Sequence, residues 1–227
     1  LFGSTVASTN LAAIIRDTSS TSYFASDHAT VVKRSMDSAA MLNASFTTTT
    51  VQGVATVPAY TNPITNALQT NSLAVQLQTV ARLIAASSQL GAKRQIFFVS
   101  LGGFDTHQFE NTTQPNLLAE LAQGLSYFDT ALSNVGGVDM RPSVTAFTAS
   151  DFSRTFTSNG SGTDHAWGSH HFIWGGAVRG GTIYGQYPTL GVDAGTFNNP
   201  YMVGNALIPT TSVDQYIATI GAWFGTS

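Results

Sequence analysis

The sequence predicts an α/β fold, a mostly parallel sheet with flanking helices, and three observations predict it. The apolar run Gln95-Ile-Phe-Phe-Val-Ser-Leu101 stops at Gly102-Gly103, as a short buried strand does. Leu117, Leu118, Leu121, Leu125, Phe128 and Leu132 then recur at helical spacing. Ser143-Val-Thr-Ala-Phe-Thr-Ala149 follows as the next strand. A strand, a helix and a strand of these lengths form a right-handed crossover unit. The two strands are therefore expected to be parallel, with their carboxyl ends at one edge of the sheet.

The remaining elements follow along the chain. Residues 8 to 92 read as helical with a loop inside. Ser26 and Asp27 can cap a helix carrying Val31, Val32, Met36, Ala39, Ala40 and Leu42. A second helix is expected to begin near Pro63, a favoured first-turn residue, and to carry Leu73, Leu77, Val80, Ala81 and Ile84. Between them Phe46 to Asn62, with four consecutive threonines, Gly53 and Pro58, reads as a long loop. Phe172 to Val178 is a third strand weakened by glycine, and Gly180 to Gly185 a turn into a short fourth. Ser212 caps a last helix whose Val213, Tyr216, Ile217, Ile220 and Trp223 share one face. The expectation is one domain over 1–227, mainly helical over 1–92, with the α/β part over 93–227 carrying the site.

Composition narrows the class. Of 227 residues 43% are hydrophobic, enough for a sizeable core. Only 9% are charged, against about a quarter in ordinary soluble domains, so Ser, Thr, Asn, Gln and Gly must cover the surface. A net charge of -3 without a Lys/Arg run argues against nucleic acid and against electrostatic attachment to membranes. No apolar stretch reaches the roughly 20 residues that span a bilayer. The absence of cysteine excludes disulfides and thiolate ligands. Asn43, Asn111 and Asn159 match the glycosylation sequon, as chance allows in a chain rich in Ser, Thr and Asn.

The scarce charge is concentrated. Four of the five histidines, His107, His165, His170 and His171, fall between Asp105 and His171 together with Asp151, Asp164 and Arg154. Carboxylate plus imidazole is the ligand set of a borderline divalent metal such as zinc, manganese or iron, and a neighbouring arginine suits an anionic substrate. Asp105 and His107 follow the first strand and Asp151 the second, so parallel pairing would bring both loops to one sheet edge, where open α/β sheets bind ligands. Asp164 and His165 lie in a polar loop from Ser158 to Gly168 that can fold over that edge. His170 and His171 are adjacent and point to opposite faces, so at most one joins the site. His28 stands apart in the first helix. Arg154 is either an anion clamp or a partner of Asp151.

Leu101-Gly-Gly-Phe-Asp-Thr-His107, Ser150-Asp-Phe-Ser-Arg-Thr155, Asn159-Gly-Ser-Gly-Thr-Asp-His165, Gly175-Gly-Ala-Val-Arg-Gly-Gly181 and Ile208 to Tyr216 with Trp223-Phe-Gly225 resemble the domain of unknown function 1501 family. The resemblance implies an alkaline-phosphatase-like fold, a bacterial and typically exported protein, and a phosphatase- or sulfatase-like site. Asp105, His107 and His165 would be its metal ligands, with Asp151 at the strand that supplies a second metal in relatives. Asp151 stands where the family usually has Glu, and Phe152 follows it where superfamily phosphatases carry a histidine, which speaks against a two-metal centre. Set against the family, opening strands and a nucleophile are expected to be missing before Leu73, to be supplied by an amino-terminal segment or a partner chain.

The expectation is thus a metal-dependent hydrolase of small phosphate or sulfate esters, exported to the periplasm, cell surface or medium. Asp105, His107, Asp151, Asp164 and His165 are its candidate ligands and Arg154 its catalytic cation. The rival is a non-catalytic exported protein of the same fold, self-assembling as a surface component.

Overall fold

The computed structural model describes residues 5–17, 19–190 and 202–226. The chain divides into two compact units, one of Leu1–Gly53 with Arg82–Lys93 and one of Val54–Ala81 with Arg94–Ser227. The first contains α1 (Thr5–Ile15), α2 (Tyr23–Phe46) and the short α3 (Thr49–Gln52). Thr48 caps α3 through its hydroxyl, which turns part of the expected loop into helix. Arg16 beyond α1 pairs with Asp37 of α2 at 3.3 Å. No helix among the described residues is long and apolar enough to cross a membrane.

In the second unit a hairpin of β1 (Tyr60–Thr61) and β2 (Leu68–Gln69) occupies the place where the second helix was expected to start. Local hydrogen bonds explain the difference. The Asn62 side chain accepts from the backbone N–H groups of Ile64 and Thr65, and Asn66 takes a left-handed φ of 55°, so Pro63 lies in a closed turn. Helix α4 (Ser72–Ala85) begins only after Asn71, whose Oδ1 accepts from Ala74 N–H as an N-cap. The Asn71 amide also donates to the Glu120 carbonyl and to Gln123 Oε1 of α5 (Glu110–Leu132), both at 2.6 Å. Gly124 of α5 lets Leu73 approach so closely that an added Cβ would meet its Cδ2 at 3.2 Å. Leu73, Ala74, Leu77, Val80, Leu117, Tyr127, Phe128 and Leu132 are the buried core of this helix pair.

The parallel sheet expected from the sequence does not form, and an alkaline-phosphatase-like fold is not supported. Among the described residues every ladder is two-stranded and antiparallel. Among the described residues Gln95 to Leu101 finds no neighbouring strand. Ile96 and Phe98 are 82% and 91% exposed, and the Gln76 amide meets the Ser100 backbone, accepting from its N–H at 3.0 Å and donating to its C=O at 2.9 Å. An apolar run becomes a strand only when its backbone groups have partners, and partners are a property of distant sequence. The second expected strand narrows to β3 (Thr145–Phe147) and pairs instead with β6 (Ile173–Gly175), all that forms of the third. Residues 180–185 form no strand.

Two further hairpins complete the unit. β4 (Ser153–Ser158) pairs with β5 (Thr163–Ala166), and β7 (Met202–Val203) with β8 (Ala206–Leu207). Helix α6 (Val213–Phe224) opens on a capping box between Ser212 and Gln215 and ends at Gly225, as its sequence signals predict.

Candidate metal centre

The site is built where the 102–109 segment meets the β4–β5 hairpin. At the hairpin tip Asn159 Oδ1 accepts from the N–H groups of Ser161 and Gly162, closing a tight turn. That turn is fastened to the start of α5 and to the preceding loop: Glu110 N–H donates to the Ser161 carbonyl, Thr163 N–H to the Thr106 carbonyl, and the Asn159 amide to the His107 carbonyl at 3.1 Å. Gly162 sits so tightly on this loop that a Cβ would overlap the Thr106 oxygen and stand 2.6 Å from the His107 carbonyl carbon. Antiparallel register then places Arg154 directly opposite His165.

Three ligand atoms converge. His165 Nε2 lies 2.8 Å from Asp105 Oδ1, His107 Nε2 lies 3.2 Å from the same oxygen, and the two imidazole nitrogens are 3.1 Å apart. With Asp105 ionised, as its depressed carboxyl keeps it, no placement of protons satisfies all three contacts. With both nitrogens protonated, two hydrogens face each other between the rings. With one protonated, the other nitrogen turns a lone pair toward a carboxylate oxygen. A single cation among the three atoms satisfies them all, so the residues present fit a divalent metal.

The surroundings choose between these states. Asp164 Oδ1 lies 3.1 Å from His107 Nδ1, and a carboxylate can only accept there, which puts the ring proton on Nδ1 and leaves Nε2 as the lone-pair donor. Asn159 donates to the same Asp164 oxygen, and these two hydrogen bonds, that of Asn159 first, hold the Asp164 carboxyl below its ordinary range. His165 carries the Phe152 ring stacked at 4.6 Å. Arg154 donates from Nη1 to Asp105 Oδ1 at 2.7 Å, from Nε to Thr163 Oγ1 at 3.0 Å and from Nη2 to the Thr163 carbonyl. The Asp105 carboxyl is held below its ordinary range mainly by the hydrogen bond from His165 and next by that from Arg154. The Thr163 hydroxyl in turn donates a hydrogen bond to Glu110 Oε2 at 2.8 Å.

Of the residues singled out from the sequence, the structure brings together Asp105, His107 and His165, with Asp164 behind His107 and Arg154 behind Asp105. Asp151 is exposed in the turn before β4 and lies outside this group. Arg154 pairs with Asp105 where a partnership with Asp151 had been considered. His170 lies beside Tyr187 and His171 beside Tyr216 and Thr148, so neither joins. His28 belongs to the first unit. Sequence reasoning passed over Asn159, Thr163 and Glu110. Asn159 opened a motif that carries the family resemblance and held the Asn-Gly pair of a turn, but it had been read only as a chance sequon.

Comparison with known sequences gives a family and no further relatives. Neither the curated proteins nor the solved structures contain a match to this chain. The family described as "Protein of unknown function (DUF1501)" matches residues 8–227, nearly the whole length. The chain that builds this triad therefore belongs to the DUF1501 family.

Proposed function

We propose that this chain holds one divalent metal ion at Asp105, His107 and His165 and hydrolyses small phosphate or sulfate esters there, outside the cytoplasm. The observation that carries the reading is an open three-ligand site: the side chains of Asp105, His107 and His165 are 53%, 44% and 54% exposed. Structural metal sites close with four protein ligands, whereas catalytic ones keep positions for water and substrate. Bound there, the metal supplies Lewis acidity toward an ester oxygen and activates water near neutral pH.

The protein's own groups then have separate tasks. Asp164 fixes the His107 tautomer, and Phe152 fixes the plane of His165. Arg154 is only 14% exposed and is pinned through three of its nitrogens, so its part is to position and charge-balance Asp105. The exported location rests on the 9% charge content and a surface left to uncharged polar residues.

Measuring metal content by mass spectrometry, with turnover of p-nitrophenyl phosphate and p-nitrophenyl sulfate, tests the proposal. One metal per chain and turnover that His165→Ala abolishes are expected. A second reading, an assembly component with a structural metal, is favoured by Phe98 and Trp167, which stand 91% and 86% exposed in the same unit. Metal without turnover of either ester would leave that reading in place of the first.

A further inference from the structure

We infer that the triad is a facial one, made for a six-coordinate ion such as manganese(II) or iron(II) with three adjacent exchangeable positions, and that its ligand is an oxygen chelator, an oxyanion presenting two oxygens to neighbouring positions. The inference rests on the metal reading and adds the coordination number and ligand class.

Spacing carries it. With metal–ligand bonds of ~2.1 Å, two ligands at a right angle lie ~3.0 Å apart and two at the tetrahedral angle ~3.4 Å apart. The observed separations are 2.8, 3.1 and 3.2 Å, all shorter than the tetrahedral value and centred on the right-angled one. At that bond length they subtend about 84°, 95° and 99° at the ion. Three ligands at mutual right angles occupy one face of an octahedron and leave the opposite face free.

The rest of the site agrees. Among the described residues no fourth His, Asp or Glu joins the group, and all three side chains are about half exposed, so the opposite face is supplied by solvent or ligand. Two histidines and one carboxylate arranged facially are a known solution for iron(II) with open positions, whereas zinc prefers the wider tetrahedral spread. Hard-ion chemistry selects the ligand class: the open positions of manganese(II) or iron(II) take oxygen donors, while Arg154 offsets one of the three carboxylates, Asp105, Asp164 and Glu110, that surround the site.

Cobalt(II) tests this without any catalytic assay, because four-coordinate cobalt absorbs visible light strongly and six-coordinate cobalt weakly. Titrating the full chain with cobalt(II) is expected to give stoichiometric binding, lost in His165→Ala, with the weak six-coordinate spectrum. Oxalate, a two-oxygen probe, is then expected to shift that spectrum at a concentration tenfold or more below that of acetate. An intense tetrahedral spectrum, or oxalate no better than acetate, overturns the inference while leaving the metal reading intact. Absence of stoichiometric cobalt binding, confirmed with manganese(II) and zinc(II) by calorimetry, overturns both.

Discussion

Asp164 offers no atom to the three-ligand group, yet it decides what His107 can do. Its carboxylate holds the proton on Nδ1, and Nε2 is left with the electron pair that binding requires. Asp164→Asn removes the charge and weakens that bias while keeping the size, so metal affinity should fall roughly 10- to 100-fold, the range for such outer partners. Isothermal titration with manganese(II) measures it, and unchanged affinity would take Asp164 out of the site. Arg154 acts from the other side. The Asp105 carboxyl is depressed below its ordinary 3.8 by His165 and by Arg154. A depressed carboxyl contributes stability that is fully present above the unfolded value and is lost as pH falls through the folded one. Removing Arg154 should narrow that gap. In metal-free protein, the wild-type unfolding midpoint should fall more steeply below pH 3.8 than that of Arg154→Met. Parallel curves would show that the pair is electrostatically inert.

The β4–β5 hairpin is the element that makes the site, and it does so by being pressed onto the 105–107 loop at a glycine. Gly162→Ala places a methyl group into the Thr106 carbonyl, against backbone that cannot rotate away. Overpacking of this kind costs about 1–3 kcal/mol, and here it should also pull His165 from Asp105. A lower melting temperature together with weaker metal binding is expected, read by calorimetry on one variant. Full affinity with lowered stability would mean that the hairpin tip can shift without moving the ligands. Helices were legible because their signals are local: the period of Leu117 to Leu132 and the Ser212 cap with Gln215 three residues on are read within one or two turns. Asn62 was equally local, but the proline beside it suggested a helix start, and the asparagine turn prevailed.

At the scale of the whole molecule, the sequence singled out residues that the structure gathers into a candidate metal group, and it misjudged what brings them together. Asp105, His107 and His165 stood out because charge is scarce in this chain, and that argument needs no fold. The parallel sheet expected to bring Asp151 to the loop of Asp105 and His107 does not form among the described residues, because an apolar run such as Gln95 to Leu101 does not say which strand lies beside it. Antiparallel pairing of β4 with β5 and the docking of their turn bring His165 to Asp105 and His107 and leave Asp151 outside. His165 is 60 residues from Asp105 and 58 from His107 along the chain. The loop between them closes only when the hairpin docks, so its closure is expected to follow formation of the local elements. A ligand that recognises only the joined ends stabilises the native state and leaves the folding barrier, viewed from the unfolded side, where it was. Stopped-flow experiments with and without saturating manganese(II) should therefore show unchanged refolding rates and slower unfolding. An ion bound there, as proposed, would act as a latch on a finished structure, and unfolding would then have to begin with its release.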